Sequence, residues 1–200
     1  MTLDTFTDAF DILADAPGGI PRLRKLILQL AVQGRLVEQD PNDEPASVLL
    51  KHMHRNANEI SAKVGYRQAK DLPAVSDAEK LFELPKSWNW VRLGEMGFII
   101  GGGTPRTDEP QNYAEQGIAW LTPADLYKLE GKHIDRGKRD ISEIGLKDSS
   151  AQLMPAGTVL FSSRAPIGYV AIAAKSLSTN QGFKSCVPFD SESSRASRLD

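Results

Sequence analysis

The stretch from Val159 to Ala173, VLFSSRAPIGYVAIA, decides how the second half of this chain folds. Val159 and Phe161 alternate with Leu160 and Ser162, and Tyr169, Ala171 and Ala173 alternate with Val170 and Ile172. That period of two predicts two short strands with mostly apolar faces. Pro166 and Gly168 supply the turn between them, and the proline keeps Ala165 out of helical conformation. Arg164 therefore stands where a strand ends, and its charge can reach solvent, a carboxylate or a phosphate.

Working outward, GFKSCVPF (182–189) reads as a further strand. On the other side, DISEIGLKDSS (140–150) is a short helix with Ser142 as its cap. GIAWLTPADL (117–126) is a strand that ends in a turn at Thr122-Pro123. GFIIGGGTPRTDEP (97–110) runs from a strand into a glycine-rich loop, and LPKSWNWVRLGEM (84–96) puts two tryptophans close together. Trp88, Trp90 and Trp120 are expected to anchor the core. Short strands with Gly/Pro punctuation and only small helices predict a mixed, mainly β domain from Leu84 onward.

The first 64 residues read differently. LDTFTDAFDILADA (3–16) has helical spacing and is stopped by Pro17-Gly18-Gly19. In IPRLRKLILQLAVQG (20–34), Pro21 suits the first helical turn and Gly34 the C-terminal cap. Leu23, Ile27 and Leu30 form one stripe, which Leu26, Leu28 and Val32 widen nearly all round, so this helix needs burial on more than one side. A third helix opens at Pro45, runs to Val64 and closes at Gly65. Residues 65–83 are polar and mixed and read as a linker. The fold class is thus α+β: a helical leader over 1–64, a linker over 65–83, and the mainly β domain over 84–200.

Composition excludes more than it suggests. The chain has 200 residues, enough for one domain with a helical extension, and a formal net charge of −2. Ten basic and 13 acidic residues precede Leu84, and 14 and 13 follow, so neither part has the basic excess common in nucleic-acid binders. No apolar run is long enough to span a membrane. The acidic N-terminus is unlike a secretory signal, and one cysteine, Cys186, suits a reducing cytoplasm.

Signs of catalysis are thin. There is no P-loop motif. GGGTP offers backbone N–H groups to a phosphate, or is simply a turn. His52 and His54, two apart on a helix, make a poor metal pair and suit a solvated face. Glu130-Gly131-Lys132 matches an acidic-x-Lys nuclease triplet, but no strand pattern gathers an upstream aspartate to it. Ser162 and Ser163 have no base partner in the pattern, and His133 is the sole histidine of this half. Neither a catalytic nor a metal site is expected.

In order, LPKSWNWVRLGEM, GGGTPR, IAWLTPADL, ISEIGLKDSSAQLMPAGTVLFSSRAPIGYVAIA and STNQGFKS resemble the target recognition domain of a type I restriction-modification specificity (S) subunit. LRKLILQLAVQGRLVEQDPNDEPASVLL is similar to the helical leader of some of these subunits. The resemblance implies a non-catalytic, cytoplasmic subunit for bacterial defence that reads double-stranded DNA at a bipartite target. It implies as partners a modification (methyltransferase) subunit and a restriction subunit, which carry S-adenosylmethionine, ATP and Mg and leave no cofactor on this chain, and in short forms a second S chain. The lack of an Asn-Pro-Pro-Tyr-type motif agrees with that division.

By this resemblance the DNA contacts are expected from Thr104 and Arg106 after the glycines, from Lys128 and Lys132, from Arg136, Lys138 and Arg139, and from Arg164. Arg136 to Arg139 can equally be a solvated turn with local ion pairs. In Thr179-Asn180-Gln181 a scaffold role is expected ahead of base reading. Leu26, Leu28, Leu30 and Val32 are expected to meet a partner subunit. A full S subunit usually has two recognition domains and spacer helices. Here one domain is expected, incomplete at its C-terminus, and the alternative is an interaction fragment that docks a modification subunit or another S chain without binding DNA.

Overall fold

The computed structural model describes residues 10, 16–67 and 72–189. The helical pattern over 3–16 and the serine-rich end over 190–200 lie outside them, apart from Phe10 and Ala16. The chain divides into two compact units, Met1–Lys51 with Ala74–Val91, and His52–Pro73 with Arg92–Asp200.

In the first unit, α1 spans Gly19–Val32 and α2 begins at Ala46. Gly34 closes α1 at φ +65°, where its N–H donates to Ala31 and the Arg35 N–H to Leu30. A Cβ on Gly34 would also meet Pro85 at 2.5 Å, so both conformation and space require glycine there. Leu23 and Leu30 are buried, while Ile20, Leu28 and Val32 are exposed. Segment 74–91 packs in this unit: the Ala46 N–H donates to the Ser87 carbonyl, and Phe82 meets the Trp90 ring at 4.9 Å. Trp88, expected in the core, is 39% exposed; it follows a turn closed by its N–H on Pro85 and lies in no strand.

The second unit carries two sheets. One has the order β1–β9–β6–β7–β4, from Gly97–Gly101 (β1), Lys184–Pro188 (β9), Val159–Phe161 (β6), Val170–Ala173 (β7) and His133–Ile134 (β4). The other has the order β2–β5–β3–β8, from Tyr113–Ala114 (β2), Arg139–Ile141 (β5), Ile118–Leu121 (β3) and Ser178–Thr179 (β8). The pairs β4/β7 and β3/β8 are parallel and the rest antiparallel. Alternation decides the inner face: Phe98, Ile100, Leu160, Ala171 and Ala173 are buried, and Ile99, Phe161 and Val170 are exposed. The short helix α3, Glu143–Lys147, is capped as expected, with the Gly145 N–H donating to Ser142 Oγ at 3.1 Å.

One core joins these strands to the end of α2 (Ala46–Val64) and the residues just after it. Met53, Ala57 and Tyr66 are buried in the same cluster as Phe98, Leu160, Phe183 and Phe189, with Ile60 packed against it. Tyr66, within the stretch read as a linker, meets Phe98 at 5.6 Å between ring centroids and donates its hydroxyl to the Leu153 carbonyl. His54, expected on a solvated face, is half-buried instead. Its Nε2 lies 3.1 Å from the Glu95 carbonyl and its ring edge faces Phe189, because it shares a helix face with Ala57.

Cys186 is buried on β9, and burial pushes its thiol pKa up. Little thiolate therefore forms at pH 8, and reagent cannot reach it. We expect iodoacetamide to leave the native protein unmodified over an hour at that pH and to modify it fully in denaturant. Rapid native labelling, read by mass spectrometry, would contradict this placement.

Candidate nucleic-acid interface

The turn at Asn180 to Phe183 is the hub of the second unit's polar surface. The Phe183 N–H donates to the Asn180 carbonyl, and the Asn180 side-chain oxygen accepts from the Gly182 N–H at 2.9 Å. These two bonds make an Asx-type turn with Gln181 at its tip. The Asn180 N–H donates to the Leu121 carbonyl, which ties the turn to the end of β3.

Three segments are bolted to this hub. Gly103 donates its N–H to the Thr179 carbonyl at 2.9 Å, and its own carbonyl accepts from the Trp120 indole at 2.9 Å. A Cβ on Gly102 would lie 2.0 Å from the Asn180 carbonyl oxygen, so the glycines are there for close backbone approach. The Gly103 N–H is thus already committed to Thr179, which leaves it no donor for a phosphate. Thr104, between buried Gly103 and buried Pro105, emerges exposed and gives its hydroxyl proton to Gln181 Oε1.

The second segment is the hinge after β6. Ser163 and Arg164 both donate backbone N–H groups to the Gly182 carbonyl, at 2.8 and 3.2 Å. The Ser162 and Gly168 backbones close the loop, and Arg164 projects exposed with no carboxylate partner among the described residues. The third segment is LTPAD. Asp125 Oδ2 accepts from the Thr122 N–H and hydroxyl, both at 2.8 Å, and Oδ1 accepts from the Lys138 N–H at 3.0 Å. Asp125 therefore fixes the backbone that carries exposed Lys138, while Pro123 packs beside Gly182.

The structure thus brings Thr104 and Arg164 to one turn, while Lys138 is held by Asp125 in the LTPAD segment. The other expected cations have neighbours of their own. Arg106 pairs with Asp108 at 3.1 Å and Glu109 at 3.2 Å, an exposed arrangement worth under about 1 kcal/mol. Arg136 is ion-paired to buried Asp140, whose carboxylate also accepts from the Gly117 N–H. The Arg139 guanidinium lies over the Tyr113 ring at 4.2 Å. Arg136, Lys138 and Arg139 line one open groove of about 470 Å³ with Tyr113 and Asp140. Lys128, at φ +57°, leans over Tyr127, and Lys132 is exposed on the turn leading to β4.

Two more residues shape this surface: Asp125, and Gln181, for which the sequence predicts a scaffold role ahead of base reading. Asp125 is legible as the acid of a Thr-x-x-Asp cap. Gln181 is distinguished from Thr179 and Asn180 only by tertiary structure: Thr179 is buried, Asn180 is spent on its own turn, and Gln181 is exposed. The described residues include no group of three or more His, Cys, Asp or Glu that could hold a metal ion.

Against known proteins, residues 85–196 match the family described as the type I restriction modification DNA specificity domain. The chain is similar to the type I restriction enzyme MjaIX specificity subunit of Methanocaldococcus jannaschii. The two are 44% identical over 108 residues, 54% of this chain and 25% of that subunit. It is also similar to the EcoAI specificity subunit of Escherichia coli, at 37% identity over 131 residues, 66% of this chain and 20% of that subunit. A looser likeness, 22% identical with a TM-score of 0.40, links 84% of this chain to 35% of the HsdS subunit from Thermoanaerobacter tengcongensis. The chain spans a quarter or less of the two curated relatives' length.

Proposed function

The chain belongs to the type I restriction modification DNA specificity family, and on that premise we propose that it reads DNA sequence for a type I restriction-modification complex. It directs methyltransferase and restriction subunits to a bipartite target in the cytoplasm. It is not itself an enzyme: S-adenosylmethionine, ATP and Mg are held by those partner subunits.

One observation carries this reading. Thr104, Gln181 and Arg164 stand exposed on or against a single turn, Lys138 stands exposed on the backbone that Asp125 holds, and neither cation has a carboxylate partner among the described residues. DNA recognition asks for that division of labour: cations on phosphates fix the register, and uncharged polar groups meet base edges.

The test is fluorescence anisotropy with duplex DNA at several salt concentrations, with the modification subunit present. Affinity is expected to fall linearly on a log–log plot against salt. Arg164→Ala is expected to weaken binding evenly across sequences and to reduce the slope by about one. A complex with no DNA affinity and no salt dependence would overturn the assignment.

Docking through the leader is a second role favoured by a separate observation. Leu28 and Val32, one turn apart on α1, are 66% and 62% exposed, and Leu26 is half-buried on another face. They offer an apolar strip to a modification subunit or a second S chain, whereas Leu30 is buried in its own unit.

A further inference from the structure

We propose that Arg139, stacked on Tyr113, reads the major-groove edge of a guanine in the target. This rests on the recognition role above and names a reader within it. The stretches that carry the family resemblance leave two intervals in this part of the chain, 107–117 and 127–140. A stretch common to subunits that read different DNA cannot choose the target, so the choosing residue belongs in an interval. Every described residue that lines the open groove of about 470 Å³ lies in one of them: Tyr113 to Glu115 in the first, Arg136 to Asp140 in the second. The smaller sheet joins the two, because β2 pairs with β5.

Within that groove Arg139 is both held and free. It stands exposed on β5, in register with Trp120 of β3, and its guanidinium lies over the Tyr113 ring at 4.2 Å. Tyr113 is fixed in turn: its hydroxyl donates to the Pro105 carbonyl at 3.2 Å, and its ring meets Trp120 edge-on at 6.4 Å. The stack engages the face of the guanidinium and leaves its N–H edges without a partner among the described residues. Guanine shows two acceptors side by side in the major groove, O6 and N7, and a planar fork of donors meets both at once. Adenine puts an amino donor in place of O6, and arginine has no acceptor for it. A long side chain normally gives up its rotamer freedom on binding, but here Tyr113 holds it in advance, on a strand. Tyr113 is thus a positioning residue. The neighbouring charges favour a base edge over a phosphate: Arg136 is spent on buried Asp140, and exposed Glu115, which repels a phosphate, lines the same groove.

The experiment uses the full chain with the modification subunit and a randomised duplex library, sequenced after binding. The parent is expected to select sites that include a fixed guanine. Arg139→Ala is expected to lose preference at that one position by about tenfold or more, with the other selected positions intact and the melting temperature nearly unchanged. Tyr113→Leu is expected to weaken the same position, and Tyr113→Phe, which keeps the ring, to preserve it. An unaltered consensus for Arg139→Ala overturns the proposal, and so does a lost preference for a base other than guanine. A uniform affinity loss with a shallower salt slope overturns it too, because that marks a phosphate contact. A parent that binds no duplex at all overturns the recognition role itself, and this assignment with it.

Discussion

A chain that begins at Leu84 is expected to lack a cooperative unfolding transition, whereas one that begins at Ala46 is expected to melt sharply. Met53, Ala57 and Tyr66 lie in the same cluster as Phe98, Leu160, Phe183 and Phe189, and Ile60 packs on its side. Fully burying a large apolar side chain contributes about 1.5–3 kcal/mol. Losing Met53, Ile60 and Tyr66 together therefore removes several kcal/mol, against a total stability of about 5–15 kcal/mol. The loss is compounded at the Leu153 carbonyl, which accepts the Tyr66 hydroxyl and would be left without it. Burial raises the pKa of that phenol, so it is neutral and donating in the folded state. Its share of stability is whole below the free phenol's pKa of about 10 and is lost as pH rises past it. Circular dichroism melts and binding of a dye for exposed apolar surface would separate the two chains. A Leu84 chain with an unchanged, sharp transition would mean that α2 contributes nothing to this core.

The strands of this domain were legible because their periodicity is local. Val159 to Phe161 and Val170 to Ala173 alternate as the sequence predicts, and Gly34 and Gly65 stop helices where they stand. What could not be read is which distant segment completes a given one. Tyr66 lies in a polar stretch whose composition says linker, and only its contact with Phe98, 32 positions on, makes it core. The cations follow the same rule. The Arg136–Asp140 pair is local and visible at four-residue spacing, whereas Arg139 is occupied by Tyr113, from the neighbouring strand β2, which no local pattern shows. Thr104, Lys138 and Arg164 were foreseen as polar or charged residues in loops. The meeting of Thr104 and Arg164 at one turn was not, because it is made by backbone hydrogen bonds to Thr179 and Gly182, and such bonds leave little trace in residue type.

Gly102→Ala is expected to lower the melting temperature by several degrees, whereas Gly101→Ala, one residue earlier, is expected to leave it nearly unchanged. Neither glycine has a left-handed φ, so the contrast rests on space alone. A Cβ at Gly102 would stand 2.0 Å from the Asn180 carbonyl oxygen and 2.4 Å from that of Thr179, both backbone atoms. One at Gly101 would meet nothing nearer than the Lys184 ammonium at 3.4 Å, the movable end of a long side chain. The backbone around Gly102 cannot swing away without breaking the Gly103 bond to Thr179 or the Asn180 bond to Leu121. Overpacking of this kind costs about 1–3 kcal/mol, and for a domain of this size each kcal/mol is about 2–4 °C. The same displacement would lift Thr104 off Gln181, whose Oε1 accepts the Thr104 hydroxyl proton. Differential scanning calorimetry of both variants decides the matter. Equal melting temperatures would mean that GGGTP is a loop free to move.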